Sequence, residues 1–364
     1  MAERLLRDAV TPDWEELSDC CVLRQGTPQR AHHIELFLDQ EVRQAVARRF
    51  HLWDTLDADD PNFDVKSEVI IQRFLGYDHV RAGVEGLTMA FNYDATDDTA
   101  GLGRAGGRQF MSEGRGPIAT WEEFEAYPWP EMTDAHTRML EWYQENLPDD
   151  MCIIGGGGFG HFAEFLTWLM GYEMLCYALY DQRDLVRAIA DRITEMFRQA
   201  LERILHFDRV KLVWGSDDMG FRSATLISPD DLREFVLPGH KLMAEMSHAV
   251  GRPYLLHSCG NLHEIMEDLI EDVRIDAQHS FEDTIITVTE HKQLYGGRLS
   301  ALGGIDVDFL CRADEEAIRS RVRETLDACM PGGGYCLGTG NSVANYIPLE
   351  SYLIMLDEGR RWRP

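Results

Sequence analysis

From about residue 79 onward the hydrophobic pattern repeats one phrase: a short apolar run, a turn bearing Gly or Asp, then an amphipathic stretch long enough for a helix. The runs are HVRAG (79–83), MCIIGGGG (151–158), VKLVWGSDD (210–218), PYLLHSCGN (253–261), IDAQHS (275–280), LSALGGID (299–306) and YCLGTGN (335–341). Between them the helices are punctuated. Ser228 is placed to N-cap, with Pro229 at the first helical position and two aspartates behind it, and the stretch from Asp314 stops at Pro331 and Gly332.

Runs that are apolar on both faces and alternate with helices predict a parallel sheet covered by helices. With this many units the expected fold is α/β, a (β/α)8 TIM-type barrel spanning residues 77–364 as one single domain. A doubly wound open sheet is the alternative, but no Gly-x-Gly-x-x-Gly turn opens a helix after the first run, and GGGGFGHF lacks the Lys-Ser/Thr of a P-loop. Residues 1–76 read as an N-terminal helical extension packed on the barrel, with IELFLDQEVRQAVARRF as its clearest helix. After the first strand, DATDDTAGLGRAGGRQFMSEGRGP has no hydrophobic period and predicts a long loop insertion over one barrel face.

Composition narrows the partners. Thirty-five Lys and Arg against 63 Asp and Glu leave a net charge of −28, which repels phosphate backbones and anionic lipid surfaces, so neither nucleic acid nor membrane is expected. No run reaches the roughly 18 uncharged apolar residues of a membrane span, and a cytoplasmic location is expected. The eight cysteines lack the regular spacing of a disulfide framework. Cys329 sits on the stripe Ile318, Val322, Leu326 and reads as a buried small hydrophobe, and Cys176 and Cys311 read likewise.

Barrel chemistry sits at the C-terminal strand ends, which here are unusually polar: Glu164, Asp217, Asp218, His257, Cys259, Asn261, His279, Glu282, Asp306, Thr339, Asn341 and Ser342. In a strand His257 and Cys259 point to one face, one pleat apart. An imidazole and a thiolate so placed suit Zn2+, with the alternative that both are packed for shape.

The wording LLHSCGN, LGGID and GTGNSVANYIPLESY resembles the uroporphyrinogen decarboxylase superfamily over roughly residues 60–360, closer to its zinc-dependent corrinoid methyltransferase branch, with its coenzyme M and O-demethylase methyltransferases, than to true uroporphyrinogen decarboxylase. The resemblance implies a (β/α)8 barrel with His257 and Cys259 as metal ligands. It places a further cysteine seven residues before a proline. Counting back from Pro348 reaches Asn341, where this chain departs from the pattern, and Cys336 falls on the opposite strand face. Glu35, Asp217 or His279 stay open as a third ligand. The Arg-Gln-Ala-Gly-Arg-type stretch of the decarboxylase branch is replaced by GTPQRAHHIELFLDQE, with only Arg30 nearby.

The resemblance implies a zinc-dependent methyltransferase moving a methyl group between a small methoxy or methylthio substrate and a corrinoid held by a partner protein. Glu164, Asp217, Asp218 and His279 are then candidates for proton transfer or for orienting the metal ligands, and Asn261, Asn341 and Thr339 for binding substrate. Apolar groups in YPWPEM or the 84–120 loop are expected to meet the corrinoid protein, and a homodimer is left open. Two alternatives stand beside it: a metal-free lyase acting on a small carboxylate, and a non-catalytic small-molecule-binding barrel.

Overall fold

A computed structural model describes residues 5–104, 107–111 and 114–364. All seven expected runs form strands: β1 (His79–Ala82), then, beyond a short antiparallel pair β2 (Tyr93–Thr96) and β3 (Arg108–Met111), β4 (Cys152–Gly156), β5 (Val210–Ser216), β6 (Tyr254–His257), β7 (Ala277–His279), β8 (Ser300–Leu302) and β9 (Tyr335–Cys336). They make one parallel sheet in the order β1-β4-β5-β6-β7-β8-β9. The two-sided apolar pattern explains the arrangement. Along β5, Leu212 and Trp214 pack into the barrel interior with Ile154, Leu255, Ala277, Leu302 and Cys336, while Val210 and Val213 face the helix layer.

The eighth stave comes from the N-terminal region, which corrects its reading as purely helical. Residues 33–38 are extended, with parallel bridges His33–Leu337 and Leu38–Val343 on the β9 side. On the β1 side, Arg81 donates to the Leu36 carbonyl, and His32 pairs with Asp78 at 2.7 Å. The helix begins only at Gln40. The cause lies in the period: Ile34 and Leu36 alternate into the barrel interior, where a two-residue repeat buries them and a helix would not. Leu17, Cys21 and Val22 plug the same interior.

The insertion after β1 is not wholly a loop, since β2 and β3 pair and the helices Trp121–Ala126 and Arg138–Asn146 follow. Part of the expected loop, residues 105–106 and 112–113, lies outside the described residues. Ser228 accepts from the Asp231 amide and Asp314 from Ala317, capping their helices as read. All eight cysteines are free thiols. Cys329 is buried, whereas Cys176 and Cys311 are partly exposed because their helix positions lie at the edge of the packed stripe. No helix among the described residues is long and apolar enough to cross a membrane.

Candidate active site

The C-terminal ends of β5 and β6 are adjacent, with Ser216 in register with His257, so the residues just beyond them meet at the barrel mouth. Cys259 Sγ lies 3.3 Å from His257 Nε2. Asp218 Oδ1 is 3.4 Å from the same nitrogen and accepts the Cys259 amide at 3.0 Å. One donor atom from each of the three lies within 4.8 Å of the others. Burial raises the Cys259 thiol well above its ordinary value, and the Asp218 charge adds to this. Burial also opposes ionisation of Asp218, but the His257 bond and charge and the Cys259 amide outweigh it and hold the carboxyl at about 2.

The surroundings fix these atoms. His257 Nδ1 is 2.7 Å from His279 Nδ1, so one ring donates and the other accepts. His279 is buried against Trp214, and burial with the His257 and Arg81 charges keeps it neutral, with its pKa well below the ordinary value. Cys259 Sγ accepts from Asn341 Nδ2 at 3.1 Å and from Ser280 Oγ at 3.5 Å. Ser280 has φ +92°, a strained conformation for a residue with a side chain, of a kind concentrated at functional sites. Gly260 has φ +88°, and a Cβ there would stand 2.2 Å from the Gly220 backbone. Only glycine lets the two loops that carry Asp218 and Cys259 touch.

Asp217 and Asp218, adjacent in sequence, have different settings. Asp217 is fully buried and accepts from the Ala163 and Glu164 amides at 2.9 and 3.0 Å, capping the helix Phe162–Met170 from a neighbouring strand. His240 Nε2 lies 2.9 Å from it and holds Tyr254 through its other nitrogen. This is structural tethering rather than an open reactive group. Glu164, at the start of the same helix, pairs with His161 Nδ1 at 2.5 Å. Burial pushes its carboxyl up to about 7 against the pull of His161.

Thr339 reaches the site through Asn341. Its hydroxyl lies 3.0 Å from the Asn341 carbonyl and 2.5 Å from Glu35 Oε2, and its amide donates to Glu35 Oε1. One hydroxyl proton cannot serve both oxygens, so a neutral Glu35 donating to Thr339, which donates to Asn341, satisfies every group. Burial pushes Glu35 up to about 8 in the same sense, against the Thr339 bonds. The folded state therefore prefers the neutral acid: this stabilisation is complete below the ordinary value of 4.5 and is lost as pH rises to 8. Urea unfolding of Glu35→Gln should show the variant gaining on the wild type by roughly 1.4 kcal/mol per pH unit across that window. Parallel pH profiles would refute the neutral carboxyl.

Of the residues singled out in the sequence, the fold brings together Asp218, His257, Cys259 and Asn341, with His279 behind them and Glu164 nearby. Glu35, Asp217 and His279, considered as a third ligand, all have other partners, and Asp218 is the carboxylate within reach. Asn261 caps its own turn by accepting the His263 amide and lines a separate cavity of ≈ 220 Å³. Cys336 lies in the barrel interior. Tyr127 of YPWPEM is buried, hydrogen-bonded to Ala90, and so is not a docking group. Sequence reasoning missed His161, although its spacing of three from Glu164 on a helix start was a signal, and Arg81, a charge inside an apolar run.

The fold and site define a (β/α)8 barrel with a His-Cys-carboxylate cluster at its C-terminal mouth. Residues 113–362 match the family model described as uroporphyrinogen decarboxylase (URO-D), and the chain belongs to that family. It is similar to the methylated-thiol–coenzyme M methyltransferase of Methanosarcina mazei, 32% identical over 130 residues, 35% of this chain and 32% of that protein. It is also similar to the uroporphyrinogen decarboxylase of Cupriavidus pinatubonensis, 31% identical over 83 residues, 22% of this chain and 23% of that one. The matches thus span about a third or less of these relatives' lengths. A solved methyltransferase from Methanosarcina mazei superposes with TM-score 0.63 over 93% of this chain and 96% of that one, at 17% identity, a likeness of fold.

Proposed function

We propose that the protein is a zinc-dependent methyltransferase that moves a methyl group between a small methoxy or methylthio compound and a corrinoid carried by a partner protein. The observation that carries this reading is the meeting of Asp218, His257 and Cys259 at the barrel mouth. A tetrahedral zinc ion at roughly 2.0–2.3 Å from each donor would hold its ligands about 3.3–3.7 Å apart, and the separations from His257 Nε2 are 3.3 and 3.4 Å. Bound there, zinc would supply a Lewis acid for an ether oxygen or a sulfur.

The chain's own residues do the rest. With His257 Nε2 presented as a lone pair, Nδ1 keeps its proton and donates it to His279, which fixes the ring. The Glu164–His161 pair, poised near neutrality, holds a proton beside the mouth. Exposed Phe37 on the eighth stave, and Phe221 and Tyr346 in segments beyond β5 and β9, are candidates to seat a corrinoid domain. Asn341 stands where the methyltransferase branch has a thiolate, so Asn341→Cys should add a second soft ligand beside Cys259 and tighten zinc binding by roughly tenfold or more, read by chelator competition. Unchanged affinity would place Asn341 outside the ligand set.

The direct test is zinc content by plasma mass spectrometry, followed by incubation of the protein with methylthio or methoxy compounds and free cob(I)alamin, watching the methylcobalamin spectrum. Zinc near one per chain with methyl transfer supports the reading. Zinc absent from folded protein, and not taken up on reconstitution, would sink it and leave a metal-free lyase, the reading favoured by the match to the Cupriavidus decarboxylase.

A further inference from the structure

We infer that the barrel mouth holds a subsite for a small organic anion, a carboxylate or sulfonate, built on the guanidinium of Arg81. Arg81 is on β1 at a position that turns into the barrel, and its guanidinium lies over the Trp214 ring at 4.6 Å. Among the described residues its one hydrogen bond goes to the Leu36 carbonyl, its buried Nε has no partner, and no carboxylate pairs with it. Burial lowers its pKa to about 10, which still leaves it charged at neutral pH.

Arg81 lines a cavity of ≈ 510 Å³. The acids on the wall of that cavity are already satisfied. Glu68 pairs with Arg43, Asp64 with Arg138 and Asp39 with Arg104, and Glu35 is neutral and bonded to Thr339. His79 beside it is held at about 4 by burial, hence uncharged. Arg104 is shared between Asp39 and Glu41, and His161 is paired with Glu164, so among the described residues Arg81 is the cation of this wall with no carboxylate beside it. A buried cation lacking a counter-ion is costly unless a ligand supplies one.

Other donors stand ready on the same wall. Ser216 and the Gly157–Gly158 turn line the cavity, and the two glycines, at φ +85° and +68°, have open space beside them. Behind this wall, in the barrel interior and not lining the cavity, the buried Trp214 Nε1 and His279 Nε2 have no partner among the described residues. Ser216 is in register with His257, so a molecule held by its acid group on Arg81 extends toward the Asp218–His257–Cys259 cluster. The anionic end stands by itself. That the far end carries the methyl group rests on the methyltransferase reading.

The test is calorimetry on the full chain with 3-(methylthio)propanoate, ethanesulfonate and the uncharged 3-(methylthio)propan-1-ol, using wild type, Arg81→Gln and Arg81→Lys. An acid should bind the wild type at least about tenfold more tightly than the alcohol, lose that advantage in Arg81→Gln and keep part of it in Arg81→Lys. The proposal is overturned if neither acid outbinds the alcohol in the wild type, a comparison that needs no variant to fold. It is equally overturned if Arg81→Gln keeps the preference. Zinc measured on the same preparations separates the two ideas. Zinc absent with acid binding intact refutes only methyl transfer, and zinc present without acid preference refutes only the anion subsite.

Discussion

Replacing His257 and Cys259 together with alanine should weaken zinc binding by more than about 10³-fold and abolish the proposed methyl transfer, because two of the three proposed ligands go and Asp218 alone remains. The change should leave the barrel folded, since Cys259 lies beyond the end of β6 and His257 is its last residue. It does strand His279, whose Nδ1 loses its partner in a buried setting, so a stability loss of about 1–3 kcal/mol should accompany the metal loss. Plasma mass spectrometry and circular dichroism on the same samples read both effects. Zinc retained by the double variant at the wild-type level would place the metal elsewhere. His279→Ala separates the two contributions: it should keep zinc but bind it about 10–100-fold more weakly, through the freed His257 ring.

Asp217→Ala should cost about 3–5 kcal/mol in urea unfolding, the largest stability effect expected from one side chain at the mouth. Its carboxylate is fully buried, caps two helix amides and meets His240. Removal leaves those amides and the imidazole without an acceptor in a dry region. Asp217→Asn should cost less, because one amide oxygen still accepts, while its NH2 faces donors. Asp218→Ala, by contrast, alters a side chain whose surface is nearly half exposed and should affect metal content far more than stability. A small loss for Asp217→Ala, below about 1 kcal/mol, would show that water replaces the carboxylate.

The contrast between Asp217 and Asp218 also shows where sequence reading stops. Both follow one apolar run, and alternation alone says that they point to opposite sides. Which side opens to the mouth depends on the helix Phe162–Met170 and on His240, distant in sequence. Thr339 behaves similarly: its role became visible only when the extended segment carrying Glu35 was seen beside β9. The apolar positions of Ile34 and Leu38 fit a helical stripe as well as a strand, and only the neighbours of this segment in the barrel break the tie.

Local pattern is enough for the repeated strand–helix order, the seven main strands, the helix caps at Ser228 and Asp314, and the placing of His257 and Cys259 on one face, because each follows from local period or local hydrogen bonding. The eighth stave, the approach of Asp218 rather than Asp217 to His257, the neutral Glu35 and the position of Arg81 away from every carboxylate among the described residues come only from tertiary packing. These depend on which distant groups share a buried space, where removal from water makes every charge and every hydrogen bond depend on its neighbours.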